Sequence, residues 1–330
     1  MKAVYITRSD IGWYSKNANA YRKALEVVSH CETTLCVSVA CRLPPEIAQK
    51  AARIVRFRRA GELLKSGCVS ADARVFTGFD FPSMSVAAKL KRRWGCAWTV
   101  FCWDPPSLSH RDRFPPLRWT IDGLFRHFVR QCDHLVLNIH PGLLREVGFS
   151  QRQIDEWISS GRLELRMQDA FDDLASESLP PIEDAGVFDY DVGVLSDWSA
   201  AKGGPLVAAA LRERPAARCL WIGNPPRNAA DFPQITFAGH LGQPDAFARL
   251  AKCRVLLAPY LPVRSLRWNY VLKVFEYLPL GRPVLASDNP GNAAVAARFP
   301  GRIALFRSGD RDDLVAKLDE LARTKEPERE

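Results

Sequence analysis

Runs of five or six β-branched and apolar residues recur along the chain, separated by longer stretches whose apolar residues return at helical spacing. In the first half the runs are AVYIT from Ala3, TLCVSV from Thr34, RIVRF from Arg53, ARVFTG from Ala73, WTVFC from Trp98 and HLVLN from His134. In the second half they are DVGVLS from Asp191, RCLWIG from Arg218, QITFAG from Gln234, RVLLAP from Arg254, PVLAS from Pro283 and RIALF from Arg302. Several are apolar at consecutive positions, as strands covered by helices on both faces must be. The alternation predicts βαβ units and parallel sheets, an α/β chain of Rossmann-like, doubly wound domains.

Length divides that pattern in two. A chain of 330 residues exceeds most single cores, and the stretch FDDLASESLPPIEDAGVFDYD from Phe171 is acidic, proline-bearing and without period, which reads as a linker. We place an N-terminal domain at 1–175 and a C-terminal domain at 176–330, with a charged, frayed tail after Arg323. Two such domains facing one another predict a ligand cleft at the carboxyl ends of their strands.

Composition then removes several classes. With 47% hydrophobic and 25% charged residues the chain is no disordered segment, and no apolar run approaches the ~20 residues of a spanning helix. The start, MKAVYITRSD, has no apolar signal region, so the expectation is a cytoplasmic protein. The nine cysteines form no CxxC pair and no zinc spacing, which reads as reduced, mostly buried thiols and no metal. Net charge is +9 and uneven: up to Ala175 there are 26 Lys and Arg against 18 Asp and Glu, and from Ser176 20 against 19. The excess gathers at Arg53, Arg56, Arg58, Arg59 and at Lys89, Lys91, Arg92, Arg93. It is either a solvated face or a contact for anionic lipid, nucleic acid or an acidic acceptor.

The turn after the first strand holds one glycine, Gly12, in place of GxGxxG, and GxxxxGK[ST] is absent, so no nicotinamide, flavin or P-loop cofactor is expected. The second half offers other chemistry. Lys202, Gly203 and Gly204 stand where a helix begins, and a cation beside backbone N–H groups suits an anion. Gly239, His240, Leu241 and Gly242 end another strand, and a loop with Arg264 and Arg267 leads into a helix predicted from about Tyr270 to Leu280. On it Lys273 and Glu276 are three residues apart and share a face. They are either a surface ion pair or a pair opening into a cleft, and the apolar neighbours Val271, Leu272, Val274, Phe275, Tyr277 and Leu278 favour the cleft.

At these residues the chain carries a resemblance. LKVFEYLPLGRPVLASDNPG, with VGVLSDWSAAKGG and CRVLLAPY, resembles the donor-binding domain of retaining GT-B glycosyltransferases of the group 1, or GT4-like, family, over most of Asp191 to Arg323. The first half is similar only in layout. The resemblance implies two Rossmann-like domains, an N-terminal one for the acceptor and a C-terminal one for a nucleotide-sugar donor, with retention of anomeric configuration and no metal. It implies that Glu276, the second glutamate of the E-x7-E motif, accepts from the donor ribose hydroxyls. It further implies that Lys202 pairs with the diphosphate and that the turn at Asn269, Tyr270 and Val271 holds phosphate oxygens. Gly239 to Gly242 would lie under the nucleobase, and Lys273 would be a second cation for the diphosphate. Two positions depart from the pattern: Trp268 stands where the first motif glutamate would touch the sugar, and Val194 stands in place of an arginine, for which Arg264 or Arg267 could substitute.

The mechanism that the resemblance implies is a transfer in which Lys202, Lys273 and the amides near Asn269 neutralise the leaving diphosphate. Asp104, in FCWDPPSLSH, is either a turn former or a carboxylate that orients the acceptor hydroxyl. His110 and His140 are assigned no role. The implied partners are a nucleotide-diphosphate sugar and a saccharide or lipid-linked acceptor of envelope or exopolysaccharide synthesis. The basic residues Lys89, Lys91, Arg92 and Arg93 beside Trp94 and Trp98 would meet an anionic membrane from the cytoplasmic side. Three rival readings are a sugar-nucleotide epimerase, which lacks a convincing carboxylate pair here, an inactive accessory or sensor protein, and a nucleic-acid binder, for which no helix-turn-helix or RNA signature is present.

Overall fold

The structure, a computed structural model, describes residues 1–9, 11, 19–67, 69, 72–103, 115–167, 171, 179–182 and 188–323. The chain falls into two compact units, Met1–Asp173 and Leu174–Glu330. The first runs β1 (Lys2–Thr7), α1 (Asn19–His30), β2 (Glu32–Ser38), α2 (Pro45–Lys50), β3 (Arg53–Phe57), β4 (Arg74–Thr77), α3 (Phe81–Trp94), β5 (Trp98–Cys102), α4 (Pro115–Gln131), β6 (His134–Leu137), α5 (Gly142–Glu146), α6 (Gln151–Ser159) and β7 (Leu163–Leu165). Its strands pair in parallel in the order β3-β2-β1-β4-β5-β6-β7.

The second unit runs β8 (Tyr190–Leu195), α7 (Gly204–Arg212), β9 (Cys219–Ile222), β10 (Ile235–Gly239), α8 (Gln243–Leu250), β11 (Cys253–Ala258), α9 (Arg264–Arg267), α10 (Leu272–Tyr277), β12 (Val284–Ser287), α11 (Pro290–Arg298), β13 (Ile303–Phe306) and α12 (Arg311–Arg323). Its sheet is also parallel, ordered β10-β9-β8-β11-β12-β13. Both are doubly wound, as the alternation predicts.

Burial follows strand position. The central strands β5, β9 and β12 are buried at every residue, whereas the edge strands β3, β7 and β13 are partly exposed. The runs read from the sequence account for twelve of the thirteen strands, with ends displaced by a residue or two. The missing one, β7, is Leu-Glu-Leu at a sheet edge, too short to show a period. The predicted linker is shorter than its composition implies. Tyr190 and Asp191 already belong to β8, Leu179 is buried, and the Pro180 carbonyl accepts from Arg302 Nη1 at 2.6 Å. The guanidinium groups of Arg254 and Arg282 lie over the Phe188 ring, 5.4 and 4.9 Å from its centroid.

The basic surface of the first unit also differs from expectation. Trp98 is fully buried, its Nε1 donating to Thr77 Oγ1 at 3.0 Å, so it meets no external surface. Lys91 is engaged too, donating to Asp133 Oδ1 at 2.5 Å and to the Gln131 carbonyl at the end of α4 at 2.8 Å. Lys89, Arg92 and Arg93 remain exposed. Among the described residues no helix is long and apolar enough to cross a membrane. The eight described cysteines are free thiols, Cys31 half-buried and the others buried, and burial pushes Cys132 and Cys253 up to about 12.

One charged cluster lies inside the first unit. Lys23 on α1 is fully buried, 3.5 Å from Glu26 and 4.9 Å from the Phe101 ring centroid. Arg166, just past β7, reaches Glu26 with Nη1 at 3.0 Å and Glu164 with Nε at 2.5 Å, joining the edge strand to α1. Hydrogen bonds and neighbouring carboxylates raise the Arg166 pKa above its ordinary value against the opposing effect of its burial. Removing one member of such a network strands its partners. Arg166→Ala is therefore expected to cost about 1–3 kcal/mol, read as a lower urea midpoint in the first unit's unfolding transition, with the m-value unchanged.

Candidate functional site

In a doubly wound sheet the loops that leave the strands at the point of order reversal turn to opposite faces, and a crevice opens between them. In the second unit that point lies between β8 and β11, which pair in parallel through Val255 with Val192 and Leu256 with Gly193. The segments leaving these strands are 196–203 and 259–271, and they carry or lead into most of the residues that the sequence singles out.

The first loop is held from below. Trp198 packs against Trp221, Phe232 and Phe237 with ring centroids 4.7, 4.9 and 5.4 Å away. Trp221 Nε1 donates to the Ser196 carbonyl at 2.5 Å, and the Trp198 N–H donates to the Asn224 carbonyl at 2.9 Å. Gly203, at φ +79°, lies so close to Pro259 that a Cβ would stand 1.9 Å from the Pro259 carbonyl oxygen. Leu261 N–H donates to the Ala201 carbonyl at 2.9 Å, so the two loops are joined directly.

Lys202 therefore sits in a fixed turn, but the backbone N–H groups expected to be free there are in use. Lys202 N–H donates to Ser199 Oγ, Gly203 N–H to the Ala200 carbonyl and Gly204 N–H to the Ser199 carbonyl. The anion-binding capacity of this turn rests on the Lys202 ammonium. That ammonium faces Asp197, with Nζ 3.7 Å from Oδ2, and His240 Nε2 lies 3.5 Å from Asp197 Oδ1. Asp197 Oδ1 also accepts the Asn224 N–H at 3.0 Å. That backbone donor, then Lys202 and His240, holds the carboxyl below its ordinary value of 3.8. The carboxyl ends of β8, β9 and β10 thus meet at one carboxylate, which sequence reasoning missed. Its signal was an acidic residue directly after a strand, in LSDWSAAK.

The second loop delivers Glu276. The helix predicted from Tyr270 to Leu280 is shorter: α10 covers Leu272–Tyr277, a 3-10 turn covers Leu278–Leu280, and Tyr270 and Val271 precede it. Pro279 explains the break, because it has no N–H to continue the α-helical ladder. Val271 is the N-cap, no side chain caps the helix, and the Val274 N–H donates to the Val271 carbonyl at 3.0 Å. Glu276 is 3% exposed and accepts from Lys273 Nζ at 2.7 Å, so it is no surface carboxylate. Burying a carboxylate costs several kcal/mol, more than an i,i+3 pair returns. Tyr277, another residue with no predicted role, accepts the Leu195 N–H at 2.8 Å and so fixes α10 to the end of β8. Burial pushes the Tyr260 and Tyr270 phenols up to about 12, and both are neutral at pH 7.

Of the remaining predicted residues, Gly239 ends β10 at φ +68°, and His240 and Gly242 are exposed with Leu241 half-buried. Trp268 is half-buried, with the Arg267 guanidinium 5.1 Å from its ring centroid. Asn269 keeps a buried Oδ1 without a hydrogen-bond partner. Its carbonyl lies against Gly291 in the first turn of α11, where a Cβ would stand 2.0 Å from the Asn269 oxygen. Asp104 lies outside the described residues, as does the side chain of Arg264.

This packing has two measurable outcomes. Gly→Ala in a helix ordinarily stabilises by about 0.5–1 kcal/mol, yet Gly291→Ala is expected to destabilise by about 1–3 kcal/mol because the methyl group meets backbone, measured by urea unfolding. Asp197 has a folded-state value below its unfolded one, so its contribution is present above pH 3.8 and is lost as pH falls through the folded value. Asp197→Asn is expected to be less stable than the unsubstituted protein at pH 7, with the gap closing below pH 3.8, as thermal unfolding against pH would show.

Residues 197–324 match the family described as Glycosyl transferases group 1. None of the curated proteins compared with the chain matches it. Among solved structures, the sucrose-phosphate synthase of Thermosynechococcus elongatus is similar with a TM-score of 0.65 and 12% identity, over 97% of this chain and 89% of that one. Anabaena HepE, crystallised with UDP, gives a TM-score of 0.66 at 12% identity over 98% and 92%. An E. coli structure titled trehalose-6-phosphate bound with UDP-2-fluoro glucose gives 0.58 at 12% over 98% and 91%. With both sheets parallel and doubly wound, the chain has the two-domain GT-B fold, and residues 197–324 of its second unit are similar to the group 1 glycosyltransferases.

Proposed function

We propose that the protein transfers a sugar from a nucleotide-diphosphate sugar to a saccharide or lipid-linked acceptor, with retention of configuration, the second unit binding the donor and the first the acceptor. The observation that carries this reading is the buried Glu276 paired with the half-buried Lys273 on the helix that follows β11, within the segment that matches the family. The similar structures support it, since their titles name UDP in one case and UDP-2-fluoro glucose in another. Glu276 has one oxygen on Lys273 and lone pairs left for two vicinal ribose hydroxyls. Lys273 and Lys202 carry the positive charge that a departing diphosphate requires, and in this proposal they take the part that a metal ion takes elsewhere. The bond from the sugar to the diphosphate breaks with its electron pair going to the diphosphate oxygen, a bond to an acceptor hydroxyl forms on the same face, and the hydroxyl proton passes to the departing diphosphate. Asp104 is proposed to orient that hydroxyl.

The exposed residues Lys89, Arg92 and Arg93 suit an anionic membrane face, in keeping with a cytoplasmic enzyme of envelope polysaccharide synthesis. One observation favours a second reading, an inactive protein that binds a nucleotide sugar. Trp268, eight residues before Glu276, offers an indole face that can stack on a sugar ring but accepts no hydrogen bond from its hydroxyls.

Thermal unfolding with UDP-, GDP-, dTDP- and ADP-sugars tests the donor site. A ligand at 100 times its Kd adds about 2.7 kcal/mol, or roughly several degrees. One nucleotide class is expected to raise Tm and Glu276→Ala to abolish the rise, whereas a folded protein that responds to none sinks the reading. Slow hydrolysis of the active donor separates the enzyme from the inactive alternative.

A further inference from the structure

Lys202 is the cation that the first loop offers to a diphosphate, and the structure gives it an internal anion. Asp197 lies one residue past Ser196 at the carboxyl end of β8, and its two oxygens are divided. Oδ1 takes the Asn224 N–H at 3.0 Å and lies 3.5 Å from His240 Nε2, while Oδ2 lies 3.7 Å from Lys202 Nζ. The loop cannot readily carry the carboxylate away. Trp198, the next residue, is packed among three aromatic rings and its N–H is bonded to Asn224, while at the other end Gly203 is pressed against Pro259. A phosphate oxygen that pairs with Lys202 must therefore approach a fixed, ionised carboxylate on the same ammonium.

We propose that Asp197 is a built-in competitor of the donor's diphosphate for Lys202, so that donor binding exchanges one anion for another on that lysine. This rests on the donor-site reading above and adds a residue that opposes binding. The exchange disfavours ligands of low charge and loosens the grip on the nucleoside diphosphate left after transfer. Asp197 side-chain exposure is 45% and that of Lys202 is 36%, so solvent screens the effect to a modest size.

The test is isothermal titration of UDP, GDP, ADP and dTDP, and of the corresponding nucleosides, into the whole protein and into Asp197→Asn. The expected result is binding of the diphosphate about three- to tenfold tighter in the variant, unchanged binding of the nucleoside, and loss of the gain when Lys202→Met is added. Should Asp197→Asn fold poorly by circular dichroism, Asp197→Ser keeps an oxygen for the Asn224 N–H and repeats the measurement. Diphosphate binding that is unchanged or weaker in the variant, or an equal gain for the nucleoside, overturns the inference while leaving the donor site standing. Absence of binding by either form removes the donor site and the inference together.

Discussion

The parallel pairing of β8 with β11 sets the geometry on which the site depends. Parallel strands present all their carboxyl ends at one edge, and the order reverses between these two, so their loops must part there. Lys202 follows β8 in the chain, and Lys273 and Glu276 follow β11. Leu195, the last residue of β8, donates to Tyr277 on α10, and Pro259, the first residue past β11, is in contact with Gly203 ahead of α7. The tolerance at these joints is small. A methyl group at Gly203 or Gly291 would overlap a backbone carbonyl, so the separation of the Lys202 turn, the Asn269 turn and α10 is set by backbone packing as well as by side chains.

The charges follow a consistent logic on that scaffold. Glu276 is buried with one lysine, and Asp197 is half-exposed with a lysine, a histidine and a backbone donor. Each carboxylate is matched with cations at close range, so the site is nearly balanced before any polyvalent anion arrives. In the first unit the same chemistry serves architecture instead, where Arg166 joins Glu26 on α1 to Glu164 on the edge strand. Similar ion pairs thus have different consequences according to whether they lie at the carboxyl ends of strands around the order reversal or at an edge.

Much of the fold was legible because the strands are buried on both faces, which writes them as continuous apolar runs. β7 was not, because three residues at an edge carry no pattern. Glu276 and Lys273 were legible as charges inside an apolar helix, and Lys202 as a cation before Gly-Gly. The engagement of the Lys202–Gly204 amides was not legible, since turns of Ser and Ala have many conformations of similar energy and tertiary packing of Trp198 and Pro259 selects among them. Asp197 escaped for a related reason: its partners Asn224 and His240 come from two other strands, and only the sheet brings them together. Trp98 misled because aromatic residues near lysines read equally well as surface anchors and as core.

The thiols have a separate consequence. Cys36, Cys96, Cys102 and Cys132 lie buried in the first unit, Cys219 and Cys253 in the second, and burial makes thiolate scarce at Cys96, Cys132, Cys219 and Cys253. Alkylating reagents attack the thiolate, so these sulfurs are chemically silent until the segment around them opens. The chain therefore carries its own clock for each unit: the order in which its cysteines become modified records which sheet breathes first and how often.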